Sequence, residues 1–354
     1  MNEKKGRKRF ARLEGLMDGA GISGVVNISG IAESRVAAVA GFIAEKRKGQ
    51  SLIVVPSYER ARRLAADLSF FSKLPVYVMP EEEQSLIRYD AKSRDYLEQR
   101  LRALTALVRG EDCVVVADGA AAVRKLPPKD LFTEHAFSLK KGAEAEPGAL
   151  RQRLIAMGYE GTPAVEAPGQ FSARGGILDL WPMGEGEPFR VEFFDTEVDS
   201  IRRFDPQTQR SLENCREAEF YPAAQIIWSP EIFRKGAERI AAAYNEAAGR
   251  LPEKEAEALR ERKAVILEAV ETRTNLQLLE HYLHYFYEKP QCLWDYPALP
   301  VTVMVDDPDR VSEALSLRET EYREHFRTLL ERGQAAPGDH GAFSGRTELM
   351  GLYG

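Results

Sequence analysis

The segment NISGIAES, residues 27–34, has the length and position of a phosphate-binding loop but little of its chemistry. It follows the apolar run GVV and precedes VAAVAGFIAE, whose apolar residues recur at helical spacing, so it is predicted to join a strand to a helix. A phosphate-binding loop reads G-x-x-x-x-G-K-[ST], with a lysine for phosphate and a hydroxyl for magnesium. In this register Asn27 and Ala32 replace the glycines, Glu33 replaces the lysine, and only Ser34 remains.

These replacements predict a loop that does not bind nucleotide. Glu33 puts a carboxylate where a lysine would meet phosphate, and Ala32 carries a Cβ where the backbone must approach the ligand closely. No acidic box of the D-E-x-[DH] kind follows a later apolar strand to hold magnesium. We therefore predict a degenerate loop, formed by Asn27, Ala32, Glu33 and Ser34, with no cofactor and no ATPase chemistry.

Histidine and cysteine residues offer no stronger candidate site. His281 and His284 stand three apart in LLEHYLHYFYE and could share a metal, but no third ligand is identifiable by spacing. The cysteines at 113, 215 and 292 are far apart and lack C-x-x-C spacing, so they suggest neither a disulfide framework nor a zinc site. No nucleophile elbow and no catalytic carboxylate pair is identifiable, and we predict no metal and no catalytic residue.

The segment FRVEFFD, residues 189–195, has the composition of a protein interface. Strand alternation puts Val191 and Phe193 on the core face and leaves Arg190, Glu192 and Phe194 together on the opposite face. An outward arginine beside an outward phenylalanine is typical of an interface hot spot. The alternative interpretation is that another element covers Phe194 and that Arg190 only pairs with Glu192.

Other arginines near this segment are also candidate binding residues. Arg174, in FSARGG, could join the same patch if Gly175-Gly176 forms a bulge or a tight turn, although alternation does not assign its face. A separate hypothesis is that Arg202, Arg203 and Arg210 bind DNA, which would make binding steeply salt-dependent.

Alternating apolar runs and helical patterns predict an α/β domain in the first third of the chain. The helical segments are 33–48, 58–71 and 91–109, and the apolar runs are VVNIS at 25–29, SLIVV at 51–55, VYVM at 76–79 and CVVVA at 113–117. Continuous β-branched runs separated by helices indicate a parallel sheet covered on both faces. Any ligand is expected at the carboxyl ends of its strands, where the degenerate loop lies.

The pattern changes after KLPPKDLF. A helix at about 147–157 precedes four or five short strands bounded by turn residues, which predicts a small antiparallel meander with one helix packed on it. Helical patterns follow at 230–249, 254–271, 277–287 and 309–332, interrupted by the strand-like run PVTVMV at 300–305. This run could return to the first sheet and leave the meander as an insertion.

Length and composition favour a globular protein of two or three domains. The chain has 354 residues, 44% of them hydrophobic and 29% charged, with a formal net charge of −6. No apolar run approaches the roughly 18 residues of a membrane span, and the N-terminus lacks the apolar core of a secretory signal, so we expect a cytoplasmic protein without membrane association. The basic cluster within residues 1–22 is predicted to be a flexible, solvated terminus.

The string GQFSARGGILDLWP…PFRVEFFDTEVDSIRRFDPQTQRS resembles a signature of two bacterial repair families, the excision-repair helicase UvrB and the transcription-repair coupling factor Mfd. Upstream, YDAKSRDYLEQRLRALTALVRGEDCVVVADGAAAVRKLPP is similar to the first domain of the coupling factor, and the resemblance covers about residues 20–345. UvrB keeps a working nucleotide loop and a damage-probing β-hairpin. The eroded loop and the short connection after RKLPPKDLF therefore favour the coupling factor's amino-terminal UvrB-like module.

The resemblance implies a fold and a division into domains. The fold class is α/β, a degenerate P-loop, helicase-like parallel-sheet domain with an inserted small α+β antiparallel domain. The expected division is a flexible terminus, the two halves of the helicase-like domain around an inserted UvrA-binding domain, and a tail: 1–22, 23–135, 136–214, 215–345 and 346–354. Because the chain ends at GRTELMGLYG, it is expected to be an excised module or a truncated reading frame.

The resemblance also implies a function without catalysis in this chain. The inserted domain would bind the damage-recognition ATPase UvrA, with the family's interface positions falling on Arg174, Arg190 and Phe194. The full-length protein would be an ATP-dependent DNA translocase that contacts RNA polymerase and double-stranded DNA through domains absent here. The chain would thus be an adaptor in transcription-coupled nucleotide excision repair. The alternative is a UvrB-related, helicase-like protein that binds nucleotide or DNA through a non-standard ATP site.

Overall fold

The computed structural model describes residues 26–81, 94–273, 275–342 and 344–350. The predicted flexible segment 1–22 lies outside these ranges, and so do Val25 of VVNIS, residues 91–93 of a predicted helix and residues 351–354 of the predicted tail. Within the ranges, no helix combines the length and the apolar content that crossing a membrane would require.

The described chain alternates strands and helices in its first third, is mainly strand between residues 137 and 220, and is mainly helical afterwards. The strands are β1 Gln50–Val55, β2 Val76–Met79, β3 Cys113–Asp118, β4 Phe137–Lys140, β5 Glu160–Gly161, β6 Gln170–Arg174, β7 Ile177–Leu180, β8 Phe189–Phe194, β9 Glu197–Phe204, β10 Ser211–Cys215, β11 Glu217–Phe220 and β12 Val301–Val305. The α-helices are α1 Val36–Arg47, α2 Tyr58–Phe71, α3 Arg94–Arg109, α4 Gly119–Val123, α5 Lys129–His135, α6 Pro147–Ala156, α7 Pro230–Ala248, α8 Glu253–Thr272, α9 Leu276–Leu279, α10 Leu283–Phe286, α11 Pro308–Glu331 and α12 Arg346–Met350.

The first sheet is parallel, with strand order β12-β1-β3-β2, which confirms the predicted α/β class. β12 pairs with β1 from Gln50 opposite Val301 onward, so the run PVTVMV does return to this sheet. Every residue of β1 and β3 is buried. Leu52 and Val54 pack with α3, α4 and α11 on one face, while Ile53 packs with α1 and α2 on the other. Burial on both faces explains the continuous apolar runs of these strands.

The second sheet has six strands in the order β10-β9-β8-β7-β6-β5 and is antiparallel except for the β5–β6 pair. Helix α6 packs on its core side through Leu150 and Leu154. A separate antiparallel pair joins β4 to β11, and Phe220 of β11 lies in the same core. Hydrogen bonding of this region therefore extends to residue 220, past the expected boundary at 214, and the domain limits themselves stay predictions.

The turn Gly175-Gly176 links β6 to β7 as a two-residue hairpin, with Arg174 opposite Ile177. Gly175 has φ +57°, a left-handed conformation that favours glycine. A Cβ at Gly176 would lie 2.8 Å from the carbonyl oxygen of Phe193 in β8. Both glycines are therefore needed for this turn to pack against the end of β8.

The predicted strand in VVNIS is wrong for residues 26–29, which have no regular secondary structure. The chain passes through this segment and enters α1 by a 3₁₀ turn, Glu33–Arg35. Val26 and Ile28 are both 39% exposed, and Gly30 has φ +75°, which ends any extended run. The apolar pattern of this stretch is thus strand-like, but Val26 and Ile28 are not fully buried within the described chain.

The predicted helix at 277–287 is interrupted. A 3₁₀ turn, Glu280–Tyr282, separates α9 from α10 and buries all three of its residues. The interruption directs Glu280 inward, where its carboxylate accepts hydrogen bonds from Arg124 and Gln225. Periodicity alone does not reveal this break, because both halves keep helical spacing.

A buried polar network ties the helix α3 to the helical region. Arg100 is fully buried; its Nε and Nη2 donate to Oε1 of Gln225 at 3.1 and 3.0 Å, and its Nη1 donates to the carbonyl oxygen of Pro80 at 2.6 Å. Gln225 donates onward to Glu280 at 3.3 Å. Burial lowers the pKa of Arg100 to about 10, so the guanidinium remains charged at neutral pH.

Replacing Arg100 by Ala should lower the free energy of unfolding by about 3 kcal/mol or more, because it opens a cavity and leaves two buried acceptors unsatisfied. Urea denaturation measures this loss. Arg234→Ala is the control: its ion pair with Glu238 is 62% exposed on each side and should contribute less than about 1 kcal/mol. Equal losses for the two variants would contradict a structural role for the network.

Replacing Gly176 by Ala should lower the free energy of unfolding by about 1–3 kcal/mol, because the methyl group would collide with the backbone of β8. Gly186→Ala is the matched control, since a Cβ there meets no atom within 4 Å. Its change should stay within about 0.5 kcal/mol in the same thermal or urea unfolding measurement. A neutral Gly176→Ala variant would refute the close approach.

Candidate functional site

The degenerate loop borders a cavity of about 1020 Å³ that lies beside the first sheet. Residues 26–31 form one wall, β12 another, and the start of α2 a third, with Ser57 capping that helix. The cavity reaches the carboxyl ends of β1 and β12, the edge at which parallel α/β sheets bind ligands. The loop thus lies at the position expected of a nucleotide site.

Charged side chains of the protein pair with one another along the lining of this cavity. Arg60 donates from Nε to Oδ2 of Asp306 at 2.9 Å and from Nη1 to Oε1 of Glu33 at 3.3 Å. Glu33, at the position of the missing lysine, therefore contacts a guanidinium that is already paired with a second carboxylate. A phosphate at this place would compete with both carboxylates for the same cation.

Two acidic residues, Asp306 and Asp307, follow β12 directly. The string D-D-P-D at 306–309 departs from D-E-x-[DH], the pattern of a magnesium-binding box. Asp306 pairs with Arg60, and Asp307 caps α11 by accepting a hydrogen bond from the Arg310 amide at 3.3 Å. Among the residues that the structure describes, no group of three or more His, Cys, Asp and Glu could hold a metal.

The two histidines once considered as metal ligands lie in the helical core. His281 is 5% exposed, and the His284 ring packs on Tyr285 with centroids 4.2 Å apart. Burial lowers the pKa of His284 to about 4, so its ring is neutral at pH 7. These surroundings are those of core residues.

The second sheet presents an outward face in which β8 is central. Val191 is fully buried and Phe193 packs against the same core, whereas Arg190, Glu192 and Phe194 point the other way. Phe194 is 80% exposed, so no element of the described chain covers it. Alternation along the strand correctly predicted which residues share this face.

The alternative in which Arg190 pairs with Glu192 is wrong, because Arg190 pairs with Asp179 of the neighbouring strand. Its Nε donates to Oδ1 of Asp179 at 2.6 Å and its Nη2 donates to Oδ2 at 2.8 Å. The hydrogen bonds that Arg190 donates to Asp179 raise the pKa of Arg190 above its usual value. The guanidinium also donates to Gln209 at 2.8 Å and lies 4.4 Å from the ring centroid of Phe204.

Glu192 has its own partners on β9. It accepts hydrogen bonds from Ser200 at 2.7 Å and from Nη1 of Arg202 at 3.0 Å. These bonds lower the pKa of the Glu192 carboxyl below its usual range, so the residue is ionised at neutral pH. The face therefore carries two carboxylates with different hydrogen-bond partners: Asp179 accepts from Arg174 and Arg190, and Glu192 accepts from Ser200 and Arg202.

The hairpin turn brings Arg174 to the same face, where its Nη2 donates to Oδ2 of Asp179 at 3.2 Å. The side chain of Arg174 is 56% exposed, against 15% for that of Arg190. Asp179 itself is 1% exposed and was not singled out from the sequence. Its signal was its alternation with the core residues Leu178 and Leu180, which puts a carboxylate on the outward face.

Two of the three arginines in the DNA-binding hypothesis, Arg202 and Arg203, are paired with carboxylates. Arg202 is paired with Glu192, and Arg203 pairs with Glu185 at 2.8 Å while stacking over Phe189 at 4.3 Å. Successive residues of β9 point to opposite faces, so Arg202 and Arg203 also diverge. This geometry offers less to a phosphate backbone than the sequence suggested.

Comparison with known proteins gives a match to a domain family and a similarity to longer proteins. Residues 137–225 match the family described as the UvrB interaction domain, a range that spans β4 to β11 and includes the whole outward face. The transcription-repair-coupling factor of Bacillus subtilis (strain 168) is 32% identical over 309 residues, 87% of this chain and 26% of that protein.

Further relatives have the same description. The transcription-repair-coupling factor of Staphylococcus epidermidis is 30% identical over 307 residues, 86% of this chain and 26% of its own length. That of Staphylococcus haemolyticus is 28% identical over 327 residues, 92% of this chain and 28% of its own length. This chain therefore spans about a quarter of the length of these relatives. The recognition made from the sequence is confirmed: the chain carries a UvrB interaction domain and is homologous, over most of its length, to part of the transcription-repair-coupling factors.

Proposed function

We propose that this chain is a non-catalytic adaptor that recruits UvrA through the outward face of the second sheet. The observation that carries the proposal is Phe194, an 80% exposed aromatic ring on the same face as two guanidiniums held by one carboxylate. Such a face offers a partner an apolar anchor beside donors that recognise carboxylates. The match to the UvrB interaction domain supports the same region as the binding part.

The degenerate loop supports the non-catalytic half of the proposal. Arg60 is engaged by Glu33 and Asp306, so the residues of the cavity wall pair with one another. A working site would instead need a lysine and close backbone approach for phosphate. In this proposal the first sheet serves as the scaffold that carries the UvrA-binding domain.

The wider role follows from the relatives' name. We propose that the chain acts within a transcription-repair coupling factor in the cytoplasm and links stalled RNA polymerase to nucleotide excision repair. RNA polymerase and double-stranded DNA would be bound by other domains of that protein, and its ATP-driven translocation would reside there too. The division at 136–214 into an inserted domain between two halves of the helicase-like domain is part of this proposal.

Replacing Arg174, Arg190 or Phe194 singly by Ala should weaken UvrA binding by more than about 1 kcal/mol, because each removes an anchor or a donor from the face. Titration calorimetry or surface plasmon resonance with purified UvrA measures this loss. Phe70→Ala is the matched control, since Phe70 is an 89% exposed phenylalanine on α2 of the first domain. Three variants that all bind with the wild-type affinity would defeat the site assignment.

The alternative function, a UvrB-related protein with a non-standard nucleotide site, rests on the cavity beside the degenerate loop. It predicts saturable binding of magnesium and ATP to the 354-residue chain. The adaptor proposal predicts no heat of binding in the same calorimetric titration, because Glu33 and Asp306 would repel the phosphates. Saturable heat that disappears in Arg60→Ala would support the alternative instead.

A further inference from the structure

The carboxylate of Asp179 is the centre of the outward face. β7 lies between β6 and β8, and in its register Asp179 stands opposite Arg190 on β8 and opposite Ser172 on β6. Oδ1 accepts from Arg190, and Oδ2 accepts from both Arg190 and Arg174. One buried carboxylate thus receives three hydrogen bonds from two guanidiniums.

The two arginines are not equivalent in this arrangement. The side chain of Arg190 is only 15% exposed, because Asp179, Gln209 and the ring of Phe204 surround its guanidinium. The side chain of Arg174 reaches Asp179 through one nitrogen and is 56% exposed. Arg190 is held by contacts on several sides, while the side chain of Arg174 stays more than half exposed to a partner.

Removing the Asp179 carboxylate would have two opposite effects on the binding of an acidic partner. The cluster of Arg174, Arg190 and Asp179 carries one net positive charge, and loss of the carboxylate would raise it to two. By charge alone that change would strengthen the attraction of an acidic partner. By position it would weaken binding, because two long side chains would lose their common acceptor and would have to be ordered again on association.

We propose that Asp179 is a positioning residue for partner recognition: it holds the Arg190 guanidinium flat in the face and directs Arg174 outward toward a carboxylate of UvrA. This inference rests on the proposed function, since it concerns the same face. Bidentate pairing of a guanidinium with a carboxylate fixes geometry as well as charge, which a lysine would not do. Recognition therefore depends on the geometry of the cluster more than on its total charge.

The test compares two variants that add the same charge to the same face. Asp179→Asn removes the central carboxylate, whereas Glu192→Gln removes the neighbouring carboxylate that pairs with Arg202 and Ser200. In titrations of purified UvrA with the 354-residue chain, Asp179→Asn should weaken binding by about tenfold or more at both low and physiological ionic strength. Glu192→Gln should change the affinity by less than about threefold.

A second variant keeps the test valid if Asp179→Asn folds poorly. Arg190→Lys retains the positive charge at a partly exposed position but loses the planar, two-pronged contact with Asp179. It should weaken UvrA binding nearly as much as Arg190→Ala does. Thermal unfolding of each variant establishes that the binding comparison is made on folded protein.

The outcomes separate this inference from the proposed function. If Asp179→Asn and Arg190→Lys bind as tightly as the wild type or more tightly, while Arg174→Ala and Phe194→Ala bind weakly, the positioning role is refuted and the function stands. If the wild-type chain does not bind UvrA, the proposed function fails. In that case the positioning role is still tested by NMR of the arginine Nε–H groups. The Nε–H signal of an ordered Arg190 side chain should be seen in the wild type and lost in Asp179→Asn. Persistence of that resonance would also refute the positioning role.

Discussion

The pairing of β12 with β1 is the contact on which the rest of the architecture depends. It joins Gln50 to Val301 across the sheet, although about 250 residues separate them in the chain. The buried side chain of Gln50 reinforces this closure, because its amide donates to the carbonyl oxygens of residues 106 and 107 and its Oε1 accepts from the Leu299 amide. Everything between β3 and β12, including the second sheet, is thereby carried as a long excursion from one parallel sheet.

Much of this fold could be predicted from the sequence, because each central strand must bury both faces and so reads as a continuous apolar run. SLIVV and CVVVA form the two central strands and are fully buried, whereas VYVM forms the half-buried edge strand β2. Residues 26–29 carry the same apolar signal but form no strand, and Val26 and Ile28 are each 39% exposed. Local pattern records what a segment could bury, and only the tertiary fold determines whether it does.

The candidate face was predictable in part for the same reason. Alternation placed Arg190 and Phe194 together, since it depends only on the geometry of one strand. The partner of Arg190 was not predictable, because the pairing with Asp179 requires the register between β7 and β8. The contact of Arg60 with Asp306 is even harder to predict from the sequence, because the two residues are 246 positions apart and meet only through the pairing of β1 with β12.

The cluster around Arg60 and the cluster around Asp179 differ in their ratio of carboxylates to guanidiniums. At the degenerate loop, Arg60 lies between two carboxylates, so the cluster has a net negative charge and its cation is satisfied within the protein. On the second sheet one carboxylate serves two arginines, and Arg174 stays more than half exposed. Arg60 has two carboxylate partners, so its charge is neutralised within the protein. Arg174 and Arg190 share one carboxylate, so Arg174 can still donate hydrogen bonds to a partner. This difference in stoichiometry, set by Glu33 in the 3₁₀ turn before α1 and by Asp179 in β7, supports the proposal that the face recognises a partner while the loop binds no ligand.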